Sequence, residues 1–277
     1  MVDLLPDRPR KGRGAVTNPA GRFEPSRRVA VDDGWTRTGE AGPAEDGSDE
    51  DGPGERGRLR TTVAIDASRS IIARNDSPDI PFDQSINPYR GCEHGCIYCY
   101  ARPPHAYLGL SPGLDFETRL FAKPNAAALL EAELRAPGYR PSAIALGTNT
   151  DPYQPIEREH KITRAILETL ARFAHPFTIV TKSALIERDL DVIAPMAARR
   201  LAKVFVSVTT LDRDLARTLE PRASTPAKRL GAIAALARAG VPPGVMVAPI
   251  IPALNDAEIE AILARAREAG AVSAGYT

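Results

Sequence analysis

Cys92, Cys96 and Cys99 are the three cysteines of this 277-residue chain, set in a C-x3-C-x2-C spacing. Thiolates are soft ligands that favour iron–sulfur clusters, zinc or copper(I). Three of them on one short loop can converge on one centre without help from the rest of the fold. A closed cluster takes four cysteines, and no fourth exists here. One metal position would therefore stay open, which is where a metal site does chemistry. The competing reading is a structural Cys3His zinc site, with His94 or His105 as the fourth donor. An odd set of clustered cysteines is a poor disulfide framework and points to a reducing compartment.

The surrounding segments must present that loop. Residues 62–66 read as a short strand, 85–90 as the strand leading into the cysteines, and 116–123 as another strand. A helix is expected over 125–135 with Asn125 as N-cap. A regular alternation follows. Strands at 143–147, 177–181, 203–208 and 245–250 are separated by helical spacing at 158–174, 189–200, 225–240 and 255–270. Thr225-Pro226 supplies an N-cap and a proline at the first helical position. Asn255 with Glu258 makes a capping-box-like start. Residues 274–277 begin a sixth core strand, so the chain is expected to be truncated inside it. This order predicts an α/β fold with a parallel sheet and helices outside. Continuously apolar strands fit a sheet buried on both faces. Periodicity does not separate an open sheet from a barrel.

Composition bounds the partners. The formal net charge is +1, so no global field draws the chain to nucleic acid or a membrane. No apolar run is long enough to span a bilayer, and the first residues lack the pattern of a secretory signal. A cytoplasmic location and no membrane partner are expected. Two domains are expected: a charge-rich segment over 1–60, and a core over 61–277. The first is rich in Gly, Pro and charge and buries too little apolar surface to offset chain entropy, so it reads as disordered.

The loop also carries a resemblance. Asn87-Pro88-Tyr89-Arg90-Gly91, then C-x3-C-x-aromatic-C with Tyr98 at the aromatic position, resembles the signature of radical S-adenosylmethionine (radical SAM) enzymes. The run over 87–101, continued by Arg102, looks like the subgroup related to spore photoproduct lyase, the DNA repair photolyase-like proteins. Asn18 to Glu24 and Asp32-Asp33-Gly34-Trp35 resemble N-terminal motifs of the same subgroup, which would dock that stretch locally onto the core. The resemblance covers residue 61 onward.

It implies a partial (β/α)6 barrel, with the cysteine loop on the face at the C-terminal strand ends. It implies that Cys92, Cys96 and Cys99 bind three irons of a [4Fe-4S] cluster and that SAM chelates the fourth. The reduced cluster would split SAM to methionine and a 5′-deoxyadenosyl radical, which takes hydrogen from substrate. The cofactor carries the hard step, and the protein orients it. A one-electron reductant of flavodoxin or ferredoxin type and a damaged nucleic-acid base as substrate are implied partners.

Site residues follow by position. Tyr98 either packs beside the adenine or anchors the loop. Gly147-Thr148-Asn149-Thr150-Asp151 stands where many radical SAM enzymes carry Gly-Gly-Glu, and instead resembles the lyase-like subgroup. Thr148, Asn149 and Asp151 there offer contacts to SAM or substrate, or else simply cap a proline-rich turn. Lys182 matches a lysine that approaches the SAM carboxylate, and Ser207 a serine that contacts SAM. Arg222 would bind the SAM carboxylate or a substrate phosphate, or form a helix-end salt bridge. Arg213, Arg217, Arg222, Lys228 and Arg229 form a weak candidate rim for nucleic acid. One departure stands out: spore photoproduct lyases use a further cysteine as hydrogen donor, and this chain supplies none. Two other readings remain at this point, a zinc-bearing nucleic-acid-binding module and a fragment unable to hold SAM productively.

Overall fold

The computed structural model describes residues 9–24 and 59–277. Six strands form the parallel core: β3 (Gln84–Ile86), β6 (Ile144–Leu146), β7 (Phe177–Thr181), β8 (Ala202–Ser207), β9 (Pro243–Val247) and β10 (Ser273–Tyr276). They lie side by side in that order, with β2 (Ile72–Arg74) antiparallel on the outer edge of β3. A three-stranded sheet stands beside them, with β5 (Arg119–Ala122) between β1 (Thr62–Ile65) and β4 (Tyr89–Arg90). The helices are α1 (Leu114–Thr118), α2 (Ala126–Leu134), α3 (Glu157–His160), α4 (Ile162–Arg172), α5 (Leu190–Ala198), α6 (Arg213–Leu219), α7 (Pro226–Arg238) and α8 (Ile259–Glu268). Parallel strands joined through helices make the partial barrel that the sequence pattern and the resemblance together anticipate.

The core lies between sheet and helices. Ile144, Leu146, Ile179, Val204, Val206, Val245 and Val247 are buried from the strands, and Ile166, Leu170, Ile193, Ile233, Leu236 and Ile262 from the helices. Each such side chain contributes about 1.5–3 kcal/mol on burial. No helix among the described residues is long and apolar enough to cross a membrane.

Several expected elements divide or shift. The strand over 85–90 is two strands in two sheets, because Pro88 donates no ladder hydrogen bond and the Asn87 side chain turns the chain toward the β6 loop. Its Oδ1 accepts from the Asn149 N–H at 3.0 Å. The strand over 116–123 begins as helix α1, whose Thr118 hydroxyl donates back to Leu114 O at 2.8 Å. The helix over 158–174 breaks at Lys161, which takes a left-handed φ of 51°. Asn125 sits at its N-cap position but makes no side-chain cap; its Nδ2 donates to Ser68 O at 3.2 Å. The capping box at Asn255 and Glu258 does not form. Asn255 Nδ2 donates to Thr209 O at 2.7 Å, and Glu258 accepts from the Leu211 N–H at 2.7 Å, so both tie the β9 loop to the β8 loop. Helix α6 was not read from sequence, although Asp212 caps it by accepting from the Asp214 and Leu215 N–H groups.

Disorder does not describe all of the N-terminal segment. Residues 9–24 lie against the cysteine loop and α1. The remainder of 1–58, Trp35 included, falls outside the described residues.

Candidate functional site

The cysteine loop leaves β4 and crosses the mouth of the sheet. Cys92 and Cys96 are buried and Cys99 is half-buried. The loop is pinned through its backbone: the Cys92 N–H donates to Phe116 O at 2.9 Å, Ile97 N–H to Leu219 O at 3.0 Å, and Cys99 N–H to Cys96 O at 3.2 Å. Gln154 grips it with both ends of its amide. Its Oε1 accepts from the Glu93 N–H at 2.9 Å and its Nε2 donates to Gly91 O at 3.2 Å.

Burial raises all three thiols above their ordinary value. Cys96 is pushed up to about 12, with Lys182 pulling the other way and Glu220 adding to the rise. Cys92 is raised by burial, then by the Asp151 charge and by the other two cysteines. The sulfurs are thus close enough to resist one another's ionisation. Such a pocket penalises three bare thiolates and favours a cationic partner that deprotonates them on binding. An iron–sulfur core coordinated by three thiolates fits this donor set.

Of the two candidate fourth donors to zinc, His94 has its Nδ1 3.4 Å from Asp151 Oδ2 and His105 its Nε2 3.1 Å from Arg119 O, contacts that fix the orientation of both rings.

On its inner side the loop rests on a buried ionic network. Tyr98 donates its hydroxyl to Glu220, and Thr209 donates to the same carboxylate at 2.7 Å. Arg229 pairs with the other Glu220 oxygen, donates to Ser224 O at 2.6 Å and reaches Ser207 O at 3.2 Å. Burial pushes the Glu220 carboxyl up, but Arg229, Lys182 and the hydrogen bonds outweigh it and bring it to about 2. The Lys182 ammonium lies 5.7 Å from the centre of the Tyr98 ring. Lys182, Tyr98, Ser207 and Cys96 are therefore gathered at one place.

Asp151 ties the β6 loop to this group. It accepts from Thr181 Oγ1 at 2.7 Å and from the Lys182 N–H at 2.7 Å. Burial raises its carboxyl, yet His94 and these hydrogen bonds together lower it to about 2. Thr148 and Asn149 sit on the same mouth: the Tyr100 hydroxyl donates to Thr148 O, and Asn87 Nδ2 donates to Thr148 Oγ1 at 3.3 Å. Arg222 is turned the other way. Its guanidinium pairs with Glu93 of the cysteine loop at 3.0 Å, not with a helix end.

The nucleic-acid rim does not hold as read. Arg229 is buried on Glu220, and Arg217 pairs with Asp214 within α6. A buried arginine on an amphipathic helix looks like a surface cation in sequence.

On its outer side the loop is held by residues 13–19, of which only Asn18 and Pro19 belong to the motif over 18–24 that the resemblance expects to dock. Buried Glu117 is the hub. It accepts from the Gly14 N–H at 2.9 Å, the Ala15 N–H at 2.8 Å and Arg102 Nη2 at 2.6 Å. Arg102 Nη2 also donates to Cys96 O at 2.8 Å, and Arg13 Nη1 donates to Glu117 O at 2.7 Å. Asn18 Nδ2 donates to Asp115 Oδ1 at 2.9 Å, and the Leu114 N–H to Thr17 O at 3.0 Å. The approach leaves no room for side chains. A Cβ on Gly14 would lie 1.9 Å from Gly95 O, and one on Gly113 2.0 Å from Thr17 O.

Comparison with known proteins places this geometry. Residues 86–266 match the Radical SAM superfamily. The uncharacterised protein Rv2578c of Mycobacterium tuberculosis is 43% identical over 194 residues, covering 69% of this chain and 57% of that protein. The uncharacterised protein MJ0683 of Methanocaldococcus jannaschii is 29% identical over 173 residues, covering 62% of each. Among solved structures, spore photoproduct lyase complexed with dinucleoside spore photoproduct superposes with a TM-score of 0.53 at 19% identity, covering 74% of this chain and 58% of that one. The likeness to the lyase is one of fold. The chain spans less than two thirds of the length of each of these relatives.

Proposed function

The chain belongs to the radical SAM superfamily, and from that premise we propose that it cleaves S-adenosylmethionine reductively, with a [4Fe-4S] cluster held on Cys92, Cys96 and Cys99. The observation that carries this reading is the placement of those three thiols, on one pinned loop at the mouth of the parallel sheet, beside the Lys182 ammonium. When bound, the cluster supplies one electron to the SAM sulfonium.

The chain's own residues bind and orient. Lys182 offers a cation to the SAM carboxylate, and a charge-assisted contact there is worth more than a neutral one. Tyr98 is held by Glu220 and Thr209, so its ring is fixed between Lys182 and the loop and presents a face to the adenine. Thr148, Asn149 and Ser207 offer polar contacts around the same mouth. Glu220 and Arg229 are positioning residues that act through Tyr98. The reductant is of flavodoxin or ferredoxin type. The fold shared with spore photoproduct lyase supports a damaged nucleic-acid base as the substrate class.

Metal analysis of protein reconstituted without oxygen tests the reading. Iron with labile sulfide, and an electron paramagnetic resonance signal that shifts when SAM is added to the reduced protein, are expected. Zinc alone would overturn it in favour of a binding module.

A further inference from the structure

Behind the cysteine loop, three cations line one small cavity. Arg158, Arg222 and Lys228 share it with His94, Ser224 and Thr225, in a volume of about 170 Å³. His94 stands between Cys92 and Cys96, so the cavity opens beside the proposed active site. The space is several times what a single water needs, room enough for a tetrahedral oxyanion.

The charges in it are not balanced. Arg222 is offset by Glu93. Asp151, behind His94, is committed to His94, Thr181 and the Lys182 N–H. Among the described residues the Arg158 and Lys228 side chains have neither an ion-pair nor a hydrogen-bond partner. The Thr225 side chain makes no helix cap, so its hydroxyl is not spent there. Two unpaired cations with hydroxyls at hand match an anion of high charge and several oxygens. A phosphate group carries up to two charges and offers oxygens to guanidinium, ammonium and hydroxyl donors at once. A carboxylate offers one charge and two oxygens, and leaves one cation over.

We propose that this cavity is a phosphate-binding site, taking the doubly charged phosphate of a phosphomonoester, either a free nucleotide or the phosphorylated end of a strand. The binding stands on the cavity alone. That the phosphate belongs to the substrate rests on the reading of the preceding section.

The test is a ³¹P NMR titration of the full chain with inorganic phosphate at constant ionic strength. Phosphate line broadening is expected. Affinity should fall about tenfold or more in Arg158→Ala and in Lys228→Ala, the loss expected for one charge-assisted hydrogen bond. Arg199→Ala, an exposed cation on α5's far end, should bind as the parent does. Acetate should not displace the phosphate. Both target side chains are exposed, so folding should survive, and an unchanged melting temperature checks it. Thymidine monophosphate and a short single-stranded oligonucleotide with a 5′-phosphate then distinguish the two sources: whichever binds tighter, with loss in the same variants, identifies the source, and an oligonucleotide without a terminal phosphate that binds as tightly overturns the monoester assignment. No broadening with the parent chain, or equal broadening in all variants, overturns the proposal. SAM cleavage by the same preparations is a separate readout, so failure here and failure of the radical SAM reading are distinguishable.

Discussion

The cysteine loop is held from two flanks that are built differently. The inner flank is a buried ion pair: Arg229 on Glu220, with Tyr98 donating to the same carboxylate. The outer flank adds backbone to a buried pair of its own: the Gly14 and Ala15 N–H groups and the Arg102 guanidinium all reach Glu117, and Arg102 goes on to Cys96 O. The inner flank belongs to the barrel, since Glu220 and Arg229 both lie between β8 and β9, the one at the end of α6 and the other in α7. The outer flank crosses about a hundred positions of sequence, joining residues 13–19 to α1. One flank rests on desolvated charge, where losing a partner is costly. The other joins a buried pair to a close approach of backbones, where a single added methyl group is enough to force the chains apart.

The largest effect should come from the loop itself, where both flanks converge. Cys96→Ala removes one of three thiolates and should abolish cluster assembly, seen as loss of iron, of labile sulfide and of visible absorbance after anaerobic reconstitution. Full retention of iron and sulfide would reject the ligand assignment.

Next comes the inner flank. Arg229→Ala leaves Glu220 buried without its cation and should cost about 3–5 kcal/mol in urea unfolding. A loss under about 1 kcal/mol would show that the pair is not desolvated as described.

Acidification probes the same pair more gently. The Glu220 carboxyl is depressed in the folded chain to about 2, from an ordinary 4.5. The ionised form therefore stabilises the fold. That contribution is complete above the unfolded value and is lost as pH falls from there through about 2. It amounts to roughly 3 kcal/mol, so Glu220→Gln should flatten the acid limb of stability against pH between about 5 and 2. An acid limb as steep in the variant as in the parent would place the titration elsewhere.

The smallest effect belongs to the outer flank. Gly14→Val must move away from Gly95 O, and should cost about 1–2 kcal/mol while raising amide exchange over residues 13–19. If exchange in that stretch is already unprotected in the parent chain, the outer flank does not restrain the loop.

The two flanks also differ in how far sequence reveals them. The loop is local: its ligands lie within eight residues, and their spacing is the whole signal. The strands of the core are equally plain, because apolar runs at 143–147 and 203–208 need no partner to be recognised. Lys182 could be placed only through the resemblance, because a lysine after a strand otherwise reads as a surface residue. Arg229 could not, since nothing in α7 distinguishes a cation that points into the barrel from one that faces water. Asn255 and Glu258 carried a helix-start pattern, but tertiary partners on the β8 loop outcompeted it. Glu117 is invisible in sequence. Two of its partners are the backbone N–H groups of Gly14 and Ala15, which leave no residue type to read, and a third, Arg102, lies 15 positions away.

The claim on which both flanks converge is that this loop serves the reductive cleavage of SAM. It is tested most directly by incubating the reconstituted protein with dithionite and SAM, and measuring 5′-deoxyadenosine by chromatography. The account predicts 5′-deoxyadenosine from the parent chain and none from Cys96→Ala. A fully reconstituted parent chain that yields none, or equal yields from both, would contradict it.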